Sequence, residues 1–293
     1  MESKDIKTIL VTGGAGFIGS HLCEALVAEG HRVISLDNYF TGTKENHIAG
    51  VEYREGHTKD VDLLVPETPD VIYHLGEYSR VEVSLTEPAR VWDFNMCGTV
   101  AVCEFWRKTK AKLVYAGSST KFADGGMGRD QSPYAFSKAT NTELVRNYAE
   151  WYGLPFAVTY FYNVYGPRER AGHYGTVIEI FRQKYLKGEP LSVTAPGTQT
   201  RMFTHVDDIV SGLLLVGEKG EGDEFGLGAE TAYAIRAIAE MFGVPIVMMP
   251  EAPGNRMHAK LDASKSHMLG WRTRHDVKEY IEAIVAGRTD TLT

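Results

Sequence analysis

The stretch TGGAGFIG follows directly on a short apolar run at residues 7–11 (KTILV) and opens a helical pattern over residues 17–29. No other feature of the chain narrows its fold so far. Gly13, Gly16 and Gly19 are spaced so that the turn can tighten and the helix can lie close against the strand before it. Further β-rich runs occur at residues 32–36 (ending at Asp37), 51–54, 71–74, 112–116 and 156–161. Helical patterns at 88–110 and 133–151 separate the later ones, the second opened by Pro133, which suits a first helical turn. Strands alternating with helices of this length predict right-handed βαβ crossovers and a parallel sheet, hence an α/β fold.

The first helix start is also an anion site, because its unpaired N–H groups and positive dipole end face the glycine turn. A pyrophosphate fits there. Asp37, about twenty residues on at the end of the second strand, stands where a carboxylate accepts from ribose hydroxyls and repels a 2′-phosphate. Asn38 follows where a basic residue would favour NADP, so the expected cofactor is NAD in a Rossmann-type doubly wound sheet. Phe17 and Ile18 in the turn and Leu75 after the fourth strand join the expected cofactor contacts. The pattern loosens after Asn163. Residues 1–162 read as the NAD-binding domain, taking back about 203–228, and residues 163–293 as a smaller, interleaved substrate domain.

Tyr134-Ala-Phe-Ser-Lys138 sets a phenol and an ammonium on one helix face. A free phenol has a pKa of about 10 and needs a nearby cation to act as a base at neutral pH. The hydroxyl cluster Ser118-Ser119-Thr120 ends the strand before it, and strand ends of a parallel sheet are where ligands sit.

Together with TGGAGFIG and Asp37, the segments HLGEYSRVEVS, FNMCGT, YAGSST, Tyr134-x-x-x-Lys138, YFYNVYGPR and GTQTRMFTHVDDIV resemble the extended short-chain dehydrogenase/reductases. More closely, the chain is similar to the NAD-dependent nucleotide-sugar epimerases and dehydratases, with the motifs in order over almost its whole length. The resemblance implies Tyr134 as catalytic base, Lys138 as its electrostatic partner, and Ser118 as the hydroxyl on the reacting sugar oxygen, with Ser119 as fallback. It also implies Ser119, Thr120, Asn163 and Arg201 as substrate contacts, the last two on the diphosphate of a nucleoside-diphosphate sugar. A homodimer built on the helices at 88–110 and 133–151 is expected as well; Val91, Phe94, Val102 and Phe105 supply an apolar face for it.

Two departures stand out. Where such proteins often place an acid for adenine, this chain has His57, with Asp60 kept as a cofactor contact; where a second phosphate arginine is expected stands Ala252, with Arg256 a few residues on as its substitute. The reaction follows by subtraction. A 4,6-dehydratase carries Asp-Glu at the places of Ser119 and Thr120, and a sugar-acid decarboxylase carries Glu at Thr120; this chain has neither. A 4-epimerase needs only Tyr134, Lys138, Ser118 and room for the ketosugar to turn over. A non-catalytic NAD-binding protein is the remaining alternative, and an intact Tyr/Lys pair speaks against it.

With 31 Lys and Arg against 38 Asp and Glu, the formal charge is −7, which gives no electrostatic reason to expect nucleic acid or a membrane as partner. The start of the chain reads as no signal peptide, and Cys23, Cys97 and Cys103 read as buried, reduced thiols of a cytoplasmic protein. The histidines show no metal-ligand spacing, so no metal is expected.

Overall fold

The computed structural model describes residues 5–118, 128–172, 174–250 and 262–288. Strand β1 (Thr8–Thr12) shows why the sheet is central: Ile9 and Val11 pack on one face and Leu10 on the other, all buried. Strands β2 (Arg32–Asp37), β3 (Val51–Glu55), β4 (Val71–His74), β5 (Lys112–Ala116), β6 (Phe156–Phe161) and β7 (Gly222–Leu227) complete a seven-stranded sheet of order β7-β6-β5-β4-β1-β2-β3. Every pairing in it is parallel. The chain winds away from β1 in both directions, so the crevice beyond the ends of β1 and β4 is the switch point at which such sheets bind ligands.

Helices cover both faces. Helix α1 (Phe17–Ala28) packs Leu22, Cys23 and Leu26 beside Ile209, Leu213 and Val216 of a helix at Val206–Lys219. On the other face lie α2 (Gly98–Thr109), through Val102, Phe105 and Trp106, and α3 (Pro133–Tyr152), through Val145 and Ala149. Full burial of such side chains contributes about 1.5–3 kcal/mol each. Ser132 caps α3 by accepting from the Ala135 N–H at 3.1 Å, with Pro133 in the first turn, and Gly153 ends it at φ +62°. The helical pattern expected over residues 88–110 is one rod whose middle, Trp92–Cys97, is π-helical.

Residues beyond Asn163 form a second core from Tyr165, Ile178, Phe181, Phe203, Ile238, Phe242 and Ile281. Three two-stranded ribbons frame it: Val164–Tyr165 with Thr204–His205, Thr200–Met202 with Ala232–Ala234, and Leu191–Thr194 with Ile246–Met249. The helix at Val206–Lys219 and β7 then return to the main sheet.

Three expectations are corrected. The strand series does not close at β6, since β7 adds a seventh strand. Val91, Val102 and Phe105 are buried within their own chain, and Phe94 packs against Tyr78, so that face is no free surface; Trp92, Val100, Phe136 and Trp151 are exposed on the same helices. Cys97 is exposed, whereas Cys23 and Cys103 are buried. Among the described residues no helix is long and apolar enough to cross a membrane.

Candidate active site

A cleft of about 1210 Å³ opens at the switch point. Gly13 begins the turn beneath it at φ +76°, a region an L side chain rarely adopts, and donates its N–H to Leu36 O at 2.8 Å. A Cβ there would meet Gly76 Cα at 2.9 Å, so the ends of β1 and β4 touch through backbone. Gly19 is tighter: its Cβ would lie 2.1 Å from Gly13 O. Gly16 caps α1 with no side-chain bond, leaving the first N–H groups of the helix to a ligand. Uncapped donors at a dipole end and a cradle that only glycines can line fit a pyrophosphate. Gly13, Gly16, Phe17, Ile18, Gly19, Asp37, Asn38 and Leu75 all line this cleft.

Asp37 is 7% exposed and accepts from the Ala15 N–H at 2.9 Å and the Tyr39 N–H at 2.8 Å. Burial raises its pKa above the usual carboxylate value, and the two backbone bonds oppose the rise. Each oxygen keeps acceptor capacity for a sugar hydroxyl. Asn38 turns its side-chain oxygen onto the Phe40 N–H.

The ends of β5 and α3 bring the reactive residues together. The Tyr134 hydroxyl donates to Ser118 Oγ at 3.2 Å, and Ser118 is buried at the end of the strand. One helical turn on, Lys138 lies deeper, its Nζ bonded to the Tyr115 hydroxyl at 3.0 Å, to the Ala116 carbonyl and to the carboxylate of Glu77. Burial pulls Lys138 below the ordinary ammonium value, and Glu77 counters it. For Glu77 burial is the largest influence and opposes ionisation, but the Lys138 charge, His74 and the hydrogen bonds from Lys138 and Asn141 together hold the carboxyl below its ordinary value. Sequence reasoning did not single out Glu77. Its position one residue past the HLG turn was the available signal.

Asn163 (φ +41°) and Arg201 line the opposite wall. Asn163 donates to Met202 O at 3.2 Å, and Arg201, on the ribbon strand Thr200–Met202, donates to Thr200 O at 2.8 Å. Phe161, the last residue of β6, and Tyr162 both line the cleft while Tyr160 is buried, so the run does not alternate strictly between core and cleft. Arg80, Glu169 and Tyr174 also line the cleft without having been anticipated. Arg80 is held by the Tyr174 carbonyl, and burial pushes Glu169 up to about 7.

Asp60 is the expectation that the structure corrects. It is exposed and outside the cleft lining, where His57 and Thr58 stand instead. His57 Nδ1 accepts the Lys59 N–H at 3.0 Å, while its buried Nε2 has no hydrogen-bond partner among the described residues. Ser119, Thr120 and Arg256 lie outside the described residues. Away from the cleft, His205, Asp207 and His275 bring ligand-type atoms within 4.8 Å of one another, a juxtaposition that sequence spacing does not show. Their nitrogens have other work: His205 Nδ1 accepts the Asp207 N–H as a helix cap, and His275 Nδ1 bonds Asp208 at 3.0 Å.

Comparisons with known proteins agree with this geometry. Residues 9–228 match the model of the NAD dependent epimerase/dehydratase family. A protein of Methanocaldococcus jannaschii inferred to be a UDP-glucose 4-epimerase is 32% identical over 94% of this chain and 97% of its own. UDP-glucuronic acid decarboxylase 6 of Arabidopsis thaliana is 30% identical over 92% of this chain and 85% of its own. Among solved structures, the UDP-glucose 4-epimerase of Thermotoga maritima superposes with a TM-score of 0.90 at 28% identity, covering 98% of this chain and all of that one. The dTDP-glucose 4,6-dehydratase of Streptomyces venezuelae, solved with NAD bound, gives 0.86 at 25%, covering 97% of each chain. With its parallel sheet, glycine turn and Tyr134–Lys138 helix in the family's order, the chain belongs to the NAD-dependent epimerases and dehydratases that act on nucleotide sugars.

Proposed function

We propose that this protein is a nucleotide-sugar 4-epimerase that keeps NAD bound throughout its cycle. The observation that carries this reading is the Tyr134–Ser118 pair at the end of β5, with Lys138 one turn deeper, in one cleft with the glycine turn. NAD, when bound, supplies the hydride acceptor and donor for the sugar C4. Gly13, Gly16 and Gly19 give its pyrophosphate room, with Phe17, Ile18 and Leu75 beside it, and Asp37 and Asn38 take the adenosine ribose. Tyr134, as phenolate, accepts the proton of the 4-hydroxyl while Ser118 hydrogen-bonds that oxygen. The charge of Lys138 stabilises the phenolate. Asn163 and Arg201 hold the substrate diphosphate, Arg201 through the bidentate fork that suits phosphate. The 4-keto sugar turns over within the cleft, and Tyr134 returns the proton.

Epimerases stand among the similar proteins, and so do decarboxylases and dehydratases at comparable identity. The choice rests on Ser119 and Thr120, which replace the carboxylates that elimination or decarboxylation calls for. Residues 1–162 with about 203–228 serve NAD in this reading, and the rest of 163–293 serves the sugar nucleotide. We further propose a homodimer in which Trp92, Val100 and Phe136, exposed apolar residues of the paired helices, meet their copies. Incubation with NAD and a panel of UDP- and dTDP-sugars, followed by product NMR, tests the reaction. A C4 epimer supports it; a 4-keto-6-deoxy product or released CO₂ refutes it.

A further inference from the structure

Lys138 is surrounded by a network of buried hydrogen bonds that converges on the carboxylate of Glu77. Glu77 Oε1 accepts from the hydroxyls of Thr99 (2.9 Å) and Tyr115 (3.2 Å) and from the Asn141 amide (2.8 Å), while Oε2 takes Lys138. Thr99 uses its single proton on Glu77, so the His74 Nε2 at 3.0 Å must donate to it. His74 Nδ1 then accepts from Thr12 at 2.7 Å, and Thr12 accepts the Gly76 N–H at 3.0 Å. The chain of donors runs from the turn beside Gly13 to one carboxylate. Each of these contacts between Thr12, His74, Thr99 and the carboxylate is satisfied with Glu77 ionised and His74 neutral. Lys138 in turn uses all three of its N–H donors inside the protein, on Glu77, Tyr115 and Ala116.

We propose that Glu77 is a positioning residue, which keeps Lys138 protonated and fixed beneath Tyr134 and so sets the pH above which Tyr134 can act as base. A lysine this deeply buried loses its proton about 3–5 pH units early when nothing opposes it. The titratable groups facing the pair are few: His74 from β4, Tyr115 from β5, Cys103 from α2 and Tyr134 from α3 itself. Arg80 faces Tyr134 from across the cleft. None of these is a carboxylate, so among the described groups facing the pair Glu77 alone brings a carboxylate charge to Lys138. Removing that charge would let the proton leave Lys138, and Tyr134 would lose its stabilising cation.

The kinetic part of the test rests on the epimerase reading; the spectroscopic part does not. Lysine labelled with ¹³C at Cε reports the protonation of Lys138 in the NAD-loaded protein, with the resonance assigned by Lys138→Met. The expected results are a Lys138 that stays protonated across the whole pH range of turnover in the unaltered protein and titrates lower, by at least about one unit, in Glu77→Gln. The acid limb of the kcat profile should move about one unit or more to higher pH in Glu77→Gln, a loss of about tenfold at neutral pH, while Glu77→Asp keeps the limb in place. A purely structural role would make Asp as damaging as Gln and leave the limb where it was. Loss of the Lys138 proton within the pH range of turnover in the unaltered protein would overturn the proposal even if Glu77→Gln failed to fold. So would an unmoved limb. Absence of turnover alongside the expected Lys138 titration would count against the epimerase reading alone.

Discussion

Replacing Gly19 with alanine adds one methyl group, and its effect follows from the turn geometry. The added carbon would lie 2.1 Å from Gly13 O, 2.8 Å from Gly13 C and 2.9 Å from Gly14 Cα, all backbone atoms that cannot swing aside. An ordinary contact needs about 3.4 Å, so the start of α1 must shift from the turn by about 1.3 Å. Such overpacking costs about 1–3 kcal/mol, and the better helix propensity of alanine returns about 1 kcal/mol of it. The larger loss falls on NAD. A shift above an ångström takes the helix N–H groups out of reach of the pyrophosphate, and charge-assisted bonds worth about 1.5–3 kcal/mol go with them. Affinity should fall by about one to two decades, read by calorimetric titration with NAD. Parental affinity in Gly19→Ala would refute the argument that close approach at Gly19 builds the site.

Other perturbations probe the remaining parts. Tyr134→Phe should bind NAD normally and lose nearly all turnover; activity within about tenfold of the parent, a barrier change of only about 1.4 kcal/mol, would mean that another base acts. Arg201→Ala should weaken a nucleoside diphosphate by about one to two decades and leave NAD untouched, and titrations showing the reverse would place Arg201 on the wrong ligand. Fully buried His74 is held down to about 4 from its ordinary 6.5, so the unfolded chain takes up the proton first as pH falls. Its contribution to stability is therefore complete above about pH 6.5 and is lost progressively toward pH 4, about 2 kcal/mol of it by pH 5. Denaturant unfolding of His74→Gln should lack that part of the slope, and an unchanged slope would contradict it.

What the sequence made legible was what local pattern controls. β4, β5 and β6 stand where their apolar runs placed them, because strands buried on both faces have little choice. β7 was hidden for the opposite reason: GDEFGL is polar at its start, pairs along one edge only, and buries only its last three residues. The helix face of Val91, Val102 and Phe105 had the right period, but a period does not say whether the covering surface is the same chain. At the site, Gly13, Asp37, Ser118, Tyr134 and Lys138 were readable because each sits at the end of an element whose position the pattern fixed. Asp60 belonged to an irregular turn, and two residues decide whether a side chain there reaches the cleft. For Glu77 the sequence offered only its place after the HLG turn, since its meaning lies in Thr99, Tyr115, Lys138 and Asn141, which the folded chain brings together.

The central claim is reversible oxidation at C4 with Tyr134 as the base, and isotope retention tests it most directly. UDP-glucose and dTDP-glucose carrying deuterium at C4 would be incubated with the NAD-loaded protein, and the products followed by NMR. The account predicts the C4 epimer of one of them with deuterium still at C4, no net NADH, and no such product from Tyr134→Phe. An epimer whose C4 deuterium has washed out into solvent, or a product lacking its 6-hydroxyl, would contradict it.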